Sequence, residues 1–369
     1  MPKHYFLGQA SHFTRAERLS HTFAFGLPKD SDNLRNLLAK KYNSDVNHVA
    51  LAKNGRTALA IALKSSLKSN SEVIINGFTC YAVIEAVRAA NLKPVFADIN
   101  PETLHFDEKT LEEAFKKHPD ARGIIIQNTL GIPVDIVKIE KFAQKYALKI
   151  FEDLAHCTGA FYPDGREVGT VGIATALSFG KEKSIDAITG GAVIIKDTSL
   201  PVIQAPKNLP KFSETFRARF YPLFGAIYRG LSKIKLERLW IGFLIKTHQV
   251  ERSASSKLDF YRRPPHFVAK MALKQFQKLP KNGRKPIRKF VLVNNREELL
   301  KKLRENGFYF DGEWYETPIA PERLYKKVRF PESECKTATE IAQKIINLPT
   351  HYPEKELKPA LKIIEEYKA

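Results

Sequence analysis

Two lysines, Lys181 and Lys183, stand two residues apart in the stretch SFGKEKSIDAITGG, which runs from Ser178 to Gly191. A Ser-Phe pair precedes the lysines and a glycine pair follows them. Lysine side chains are mostly solvated, so each lysine taken singly is more simply explained as a surface residue than as a chemical group. Ser178, at the end of an apolar run, could offer a hydroxyl to an anion. The residues alone leave open which lysine, if either, does chemistry.

A second polar group occurs earlier, in KNGRTAL (53–59). Here Gly55 stands at a predicted strand-to-helix turn and is followed by Arg56 and Thr57. The first N–H groups of a helix can bind an anion, and Thr57 could add a hydroxyl. The simpler explanation, a glycine that only makes the turn, remains open at this point.

A third group follows another apolar run, in IFEDLAH. Asp153 ends a predicted strand and His156 comes three residues later. If the carboxylate is buried, it needs a cationic or hydrogen-bond-donating partner. Its alternative role is to cap the segment that follows the strand.

Strand and helix patterns alternate around these residues from about residue 34 onward. Apolar, β-branched runs predict strands at 72–78, 94–99, 123–129, 148–153, 175–179 and 191–197. Apolar residues at helical spacing predict helices at 32–42, 55–67, 81–92, 107–118 and 134–147. This alternation predicts an α/β fold with a mostly parallel sheet covered by helices. Ligands bind such sheets at the carboxyl ends of the strands, where all of these polar groups fall.

The chain of 369 residues is long enough for more than one domain. We predict a large α/β domain over residues 1–200, a basic, aromatic-rich helical segment over 201–265 and a small α+β domain over 266–369. Residues 201–250 hold nine Lys or Arg and two Glu, and Pro264-Pro265 marks the second boundary.

The basic segment also has an apolar face at helical spacing. That face contains Phe220, Leu223, Phe224, Ile227, Leu231 and Ile234, and it is flanked by Arg229, Lys233 and Lys235. It could be buried against the large domain or in a dimer contact. Alternatively, it could meet an anionic membrane surface, with the basic residues toward the headgroups.

Composition restricts the class of protein and of partner. The formal net charge of +20 favours anionic partners such as phosphate-bearing ligands, nucleic acid or anionic lipid, without choosing among them. We find no zinc spacing, RNA-recognition signature or basic-helix dimer motif, which argues against nucleic acid. The three cysteines show neither a disulfide framework nor metal-like spacing, so no metal is expected. No signal-like run and no apolar run of 18 residues is present, so a cytoplasmic location is expected, with peripheral membrane contact as an addition.

Taken in order, the motifs resemble the DegT/StrS-type sugar aminotransferases, which are pyridoxal-phosphate enzymes of fold type I. The order is a Gly-Thr helix start, Asp-x-x-His after a strand, and Ser-Phe-x3-Lys-x6-Gly-Gly. The resemblance covers residues 32–197 well and resumes weakly near 258–280 and at NLPTHYPE (347–354). Its most specific parts are PVFADINPETLHFD, GIPVDI, FEDLAHCTGA and the stretch that begins at Ser178. It implies a fold-type-I large domain, a small C-terminal domain, pyridoxal 5'-phosphate as coenzyme and a homodimer.

The resemblance also implies roles for individual residues. The reactive lysine of the family lies five residues after the serine, which makes it Lys183 and not Lys181. Its amine must be neutral to attack a carbonyl carbon, so its site must lower its pKa. Asp153 matches the carboxylate that pairs with the ring nitrogen of the coenzyme. His156 matches the position beside the ring oxygen, and Ser178 matches the hydroxyl on the phosphate.

The phosphate turn is where this sequence departs from the family. Gly55, Arg56 and Thr57 match that turn, but the usual Ser-Gly-Thr is replaced by Asn54-Gly55-Arg56. Arg56 could reach the phosphate, or it could point outward and leave the backbone N–H groups to bind.

The aromatic residue that stacks on the coenzyme should lie in GFTCY (77–81), and we favour Tyr81 over Phe78. Asn128 aligns with a position that often holds histidine near the ring. The family's GYNYR-like motif corresponds to KLDFYRRPPHF (257–267), so substrate recognition differs here.

The function implied is transfer of an amino group, with glutamate as donor, to a keto sugar attached to a nucleotide. Retention of Lys183 argues against the dehydratase branch, in which histidine replaces this lysine. Two alternatives remain. One is a pyridoxal-phosphate enzyme that acts on another phosphorylated or lipid-linked carbonyl compound, and the other is a non-catalytic member with a structural or regulatory role.

Overall fold

The computed structural model describes residues 3–6, 15–232, 234–247, 249, 258–311 and 314–369. The strands are β1 (Lys3–Phe6), β2 (Val49–Ala52), β3 (Glu72–Asn76), β4 (Thr79–Cys80), β5 (Lys93–Ala97), β6 (Ala121–Ile126), β7 (Lys149–Asp153), β8 (Ala174–Ser178), β9 (Gly191–Ile195), β10 (Arg288–Leu292), β11 (Phe308–Asp311), β12 (Ile319–Ala320) and β13 (Ile345–Pro349). The helices are α1 (Arg15–Thr22), α2 (Pro28–Lys41), α3 (Gly55–Ser66), α4 (Tyr81–Ala89), α5 (Glu108–Lys117), α6 (Ile136–Lys145), α7 (Phe212–Ser232), α8 (Glu237–Lys246), α9 (His266–Gln277), α10 (Arg296–Glu305), α11 (Glu322–Tyr325), α12 (Lys336–Lys344) and α13 (Glu354–Glu365).

A seven-stranded sheet forms the centre of the molecule, in the order β2-β9-β8-β7-β6-β3-β5. All neighbouring pairs from β8 to β5 are parallel. Strand β9 runs antiparallel to both of its neighbours, β2 and β8. Nearly every residue of the central strands is buried, which explains their continuous apolar runs. The predicted mostly parallel α/β fold is therefore confirmed.

Helices cover both faces of this sheet. Helix α3 begins after Asn54, whose side chain accepts the N–H of Thr57 at 2.8 Å, and its residues from Thr57 to Leu63 are all buried. Helices α3 and α4 pack on one face with one apolar cluster. Helices α2, α5, α6 and α9 pack on the other face with a second cluster.

The C-terminal part adds a smaller α+β unit around the antiparallel pair β10–β13, with helices α10 and α13 sharing its apolar cluster. Strand β1 pairs in parallel with β11, so residues near the start of the chain join this unit. Helix α9, which we placed in the small domain, packs its residues Phe267, Val268 and Ala269 into the large core. The domain boundaries stay predictions.

Helices α7 and α8 occupy the basic segment 201–265, of which Lys233, His248 and residues 250–257 lie outside the described residues. Helix α7 is held to the large domain through α1, since the ring nitrogen Nε2 of His21 lies 3.0 Å from the carbonyl oxygen of Ala218. Among the helices that the structure describes, none is both long and apolar enough to cross a membrane.

Candidate active site

Lys183 lies half-buried in the loop between β8 and β9, and its Nζ is 3.0 Å from Nε2 of His156. The loop is fixed by a buried carboxylate, because Asp186 accepts the N–H groups of Glu182 at 2.9 Å and Ile188 at 3.1 Å. Gln275 of α9 adds two hydrogen bonds to the backbone of Asp186. Hydrogen bonds to residues before and after Lys183 therefore hold the loop that carries the amine.

The protonation of this pair follows from its hydrogen bonds. Nδ1 of His156 accepts the backbone N–H of Leu130 at 3.2 Å, so a neutral ring carries its proton on Nε2 and donates it toward Lys183. Burial, and then the charge of Lys183, lowers the pKa of His156 well below its ordinary value. Burial also lowers the pKa of Lys183. The lowered pKa of Lys183 favours the neutral amine that attack on a carbonyl carbon requires, and the lowered pKa of His156 favours an uncharged ring beside it.

Asp153 ends β7, and Glu152, the residue before it on the strand, points to the other face of the sheet. The carboxylate of Asp153 accepts the N–H of Ala155 at 3.0 Å. Burial raises its pKa, while that N–H and the charge of Lys183 oppose the increase. A cationic group placed beside this carboxylate would stabilise its ionised form.

The predicted phosphate turn is packed directly against Ser178. A Cβ added to Gly55 would lie 2.5 Å from Cβ and 2.8 Å from Oγ of Ser178. The glycine pair at the start of β9 also lets the backbone of β9 pack closely against the turn at Gly55. A Cβ on Gly191 would lie 2.8 Å from the backbone nitrogen of Gly55. The structure thus brings the helix start and the serine hydroxyl together, as an anion site requires.

Two of the predicted phosphate ligands have other partners. The guanidinium of Arg56 forms an ion pair with Glu85 of α4. The N–H of Thr57 is bonded to Asn54, and its hydroxyl accepts the N–H of Asp259 at 3.4 Å. The N–H groups of the first helical residues, which have no acceptor within a helix, remain the natural anion donors.

The aromatic ring at the amine comes from an unexpected part of the chain. Trp314 stacks on His156 at 4.8 Å between ring centroids with planes 14° apart, and Nζ of Lys183 lies 4.7 Å from the tryptophan centroid. Phe78 is fully buried and stacks on Tyr315 at 4.6 Å. Tyr81 is half-buried at the start of α4 and packs against the apolar cluster on that face.

Asn128 is fully buried in the left-handed backbone conformation, with φ of 50°. Its side-chain oxygen accepts the N–H of Val134 at 3.0 Å, and its amide nitrogen lies 3.6 Å from Sγ of Cys157. These contacts hold the loop that follows β6. Its predicted place beside the coenzyme, like that of Tyr81, stays a prediction.

Sequence reasoning did not find Trp314 or Arg288. Arg288, only 1% exposed, places its guanidinium carbon 3.4 Å from the centroid of the Trp314 ring and donates to Glu182 at 2.9 Å. One signal was available, because Trp314 is one of only two tryptophans in the chain. A buried arginine leaves no comparable signal in the sequence.

These residues surround a cavity of about 600 Å³, a size typical of small-molecule sites. Lys183, His156 and Trp314 line its inner end. Its outer part is lined by residues of the basic segment, among them Arg217 and Tyr221 of α7. Lys181 lies there as well, with its Nζ 3.9 Å from the ring centroid of Tyr221. Among the described residues, no group of three or more His, Cys, Asp or Glu could hold a metal ion.

The sequence model of the DegT/DnrJ/EryC1/StrS aminotransferase family matches residues 30–205. This stretch, just under half of the chain, has the sequence pattern of that family. The chain is therefore similar to aminotransferases in the part that contains Gly55, Asp153, His156, Ser178 and Lys183. The family and the aminotransferase activity predicted from the motifs are confirmed.

Two relatives and a solved structure align with this chain well beyond residues 30–205. It is 26% identical to the pleiotropic regulatory protein of Geobacillus stearothermophilus, over 85% of this chain and 84% of the relative. It is 28% identical to the dTDP-4-amino-4,6-dideoxy-D-glucose transaminase of Shigella dysenteriae, over 83% of this chain and 81% of the relative. The fold matches Spr1654 of Streptococcus pneumoniae in its PLP form, with a TM-score of 0.64, 16% identity and 96% of each chain covered.

The residues present fit pyridoxal phosphate, which the PLP form of the matching Streptococcus pneumoniae structure names. The Gly55 turn and Ser178 form an anion cradle in which even a methyl group on the glycine would collide with the serine. The carboxylate of Asp153 lies at the end of the adjacent strand β7, and the amine of Lys183, whose pKa burial lowers, lines the cavity. Together these groups offer an anion site, an acidic partner and a nucleophile.

Proposed function

We propose that this DegT-family aminotransferase moves an amino group from glutamate to a keto sugar linked to a nucleotide. The observation that carries the proposal is the 3.0 Å contact between Nζ of Lys183 and Nε2 of His156 at the inner end of the cavity. It gives the chain a lysine amine whose pKa is lowered by burial, in the position that the family uses for its reactive lysine.

Bound pyridoxal phosphate supplies an electron sink for the bonds of an attached amino compound. Around it, each residue of this chain has a distinct task. Asp153 offers a carboxylate to the ring nitrogen, and His156 offers its Nε2–H to the oxygen side of the ring. Ser178 and the N–H groups at the start of α3 hold the phosphate. Nζ of Lys183 has a free lone pair when neutral, so it can take a proton from a substrate carbon and return it.

A nucleotide-linked substrate suits the part of the cavity lined by Arg217 and Arg263, because their positive charge matches a diphosphate. The Shigella relative, named as a transaminase of a dTDP-linked sugar, supports the same substrate class. One observation favours the alternative of a regulatory role, namely the name of the Geobacillus relative. The presence of Lys183, Asp153 and Ser178 together argues for catalysis.

The proposal includes a homodimer in the cytoplasm. In fold-type-I enzymes the partner chain commonly completes the site, and residues of the basic segment line the cavity here. All three cysteines are free thiols, which suits a reducing compartment. Membrane contact is a separate proposal, because it depends on a surface outside the cavity.

The two neighbouring lysines provide a matched test of the proposal. Lys183→Ala should abolish transamination and the yellow colour of the coenzyme-bound protein, whereas Lys181→Ala should leave both largely intact. Purified protein would be scanned for visible absorbance with and without glutamate, and then assayed against a panel of nucleotide-linked keto sugars. A colourless Lys181 variant would show that the assignment of the lysine is wrong. Normal colour without turnover of any keto sugar would favour the regulatory alternative.

A further inference from the structure

Helices α7 and α8 carry a continuous row of aromatic rings, which we call the aromatic ladder. Its members are Phe212, Phe216, Phe220, Phe224, Trp240 and Phe243, and successive ring centroids lie 4.4 to 6.4 Å apart. The ladder overlaps the apolar face predicted from the sequence. None of that predicted face is fully buried against the large domain, and Leu223 and Ile234 are exposed.

The ladder and the apolar residues of α8 are unusually accessible. Phe212 is 84% exposed, Leu239 is 72% exposed and Phe243 is 53% exposed. Ile241 and Ile245 of the same helix are exposed too, and Leu244 is the one residue of α8 that is buried. Single exposed apolar residues are common, but a contiguous set of this size marks an interaction surface.

The charge around the ladder indicates what kind of partner it meets. Residues 211–246 hold eight Lys or Arg and two Glu, a formal charge of +6. Lys235, Arg238 and Lys246 are exposed beside the apolar residues of α8. One of the two acids, Glu214, is already paired with Lys53 at 2.8 Å. The surface therefore combines apolar side chains with a net positive charge.

A second copy of the chain is a poor match for this surface. In a symmetric dimer contact a patch meets the same patch of its partner, so the basic residues of both copies would face each other. An anionic lipid surface has no such conflict, because aromatic and aliphatic side chains enter the interface while lysine and arginine reach the headgroups.

We propose that the α7–α8 surface binds the protein to an anionic lipid bilayer, with both helices lying in the headgroup region. Helix α7 would then connect the bilayer to the cavity. Its residues Glu214, Arg217, Ala218 and Tyr221, spaced i, i+3, i+4 and i+7, line the cavity, whereas Phe212, Phe216 and Leu223 lie on the roughly opposite face of the helix. The cavity would lie about one helix diameter, roughly 10 Å, from the lipid surface. Such a site is suited to a sugar substrate that is presented at a membrane.

The test is co-sedimentation of the coenzyme-loaded full chain with vesicles of equal parts phosphatidylglycerol and phosphatidylcholine, against vesicles of phosphatidylcholine alone. We expect binding at low ionic strength, a strong preference for the anionic vesicles and release as salt is added. Substituting Lys235, Arg238 and Lys246 together by alanine should weaken binding on the order of 100-fold, since each basic residue near such a surface contributes about fivefold. The matched control, alanine at Lys301, Lys326 and Lys327 of the small domain, removes the same charge and should change little.

The apolar part is tested separately by Phe212→Ala combined with Leu239→Ala, which should weaken binding at least about tenfold. Val137→Ala combined with Phe161→Ala, on the large domain, is its control. Coenzyme absorbance reports in each case that the variant is folded. Three results would overturn the proposal: no binding of wild type to anionic vesicles at low salt, preferential binding of a DNA duplex in competition, or conversion of a dimer to monomers by the Phe212 and Leu239 substitutions.

Discussion

Glu152→Gln should be among the most destabilising isosteric substitutions in this protein. Glu152 is fully buried on β7, facing away from Asp153. One carboxylate oxygen accepts the hydroxyl of Tyr162 and the N–H of Gly169, each at 2.7 Å. The other oxygen accepts two further backbone N–H groups, of residues 171 and 172, at 2.9 and 2.7 Å and pairs with Lys196 at 3.2 Å. The carboxylate thus anchors the loop before β8 to the strand that carries Asp153.

The magnitude follows from what a neutral amide can replace. The NH2 group of the new glutamine is tolerated best where it faces Tyr162, because the tyrosine hydroxyl can accept a hydrogen bond from it. The N–H of Gly169 then loses its acceptor, which costs about 1.5–3 kcal/mol. Lys196 loses its counter-charge, and breaking a buried ion pair typically costs about 3–5 kcal/mol. Lys196 keeps contacts to the carbonyl of Gly169 and the hydroxyl of Thr175, which reduces that cost. The sum is a loss of about 4 kcal/mol in the free energy of unfolding.

Urea unfolding of the coenzyme-free protein, followed by circular dichroism, would measure this loss. Burial already lowers the pKa of Lys196, so the unpaired amine should release its proton more readily and the loss should shrink as pH rises. The double variant with Lys196→Met and Glu152→Gln should lose less free energy of unfolding than the two single variants lose in sum. Glu112→Gln is the control, because that carboxylate accepts from Lys145 and Tyr146 on the surface, where little change is expected. A loss below about 1 kcal/mol for Glu152→Gln would refute the reasoning.

Asp153→Asn should reduce turnover by several powers of ten in steady-state assays and leave coenzyme affinity nearly unchanged. The reason is that an amide cannot hold the ring nitrogen of the coenzyme protonated. Near-normal turnover would exclude that role for Asp153. Gly55→Ala should weaken coenzyme binding, measured by absorbance titration, since its Cβ would lie 2.5 Å from Cβ of Ser178; Gly230→Ala, with open space around its Cβ, is the control and should bind normally. Burial raises the pKa of Asp186 from 3.8 to about 7, so the native state holds a proton that the unfolded chain releases. The free energy of unfolding should therefore fall as pH rises from about 4 to about 7, by at most about 4 kcal/mol from this group. Asp186→Ala should remove that part of the pH dependence, and an unchanged profile would contradict the assignment.

The central strands and helices were predictable because their residues are buried on both sides. Predicted bounds such as 191–197 for β9 differ from the observed Gly191–Ile195 by only a few residues. The alternation along β7 also explains a partial success. The sequence singled out Asp153 at the strand end but not its neighbour Glu152, whose partners are mainly backbone N–H groups of a loop and leave no pattern in the sequence.

The inner end of the cavity was less predictable because distant segments meet there. Trp314 reaches His156 from more than 150 positions further along the chain, in a part that the resemblance over residues 32–197 did not cover. Arg288 then contacts Trp314, so its place depends on a contact that was itself not predicted. The protonation of His156 likewise depends on the backbone N–H of Leu130, which no side-chain pattern reports.

The position of β9 between β2 and β8 affects how the chain folds while the ribosome synthesises it. Strand β2 ends at Ala52, but its partner in the sheet begins only at Gly191. At translation rates of about 5–20 residues per second, β2 emerges roughly 10–30 s before β9 can pair with it. Since Gly191 also packs against the turn at Gly55, the nascent chain has no phosphate cradle during that interval. The packing of the Gly55 turn against Gly191 therefore forms only after more than a third of the chain has been synthesised beyond β2.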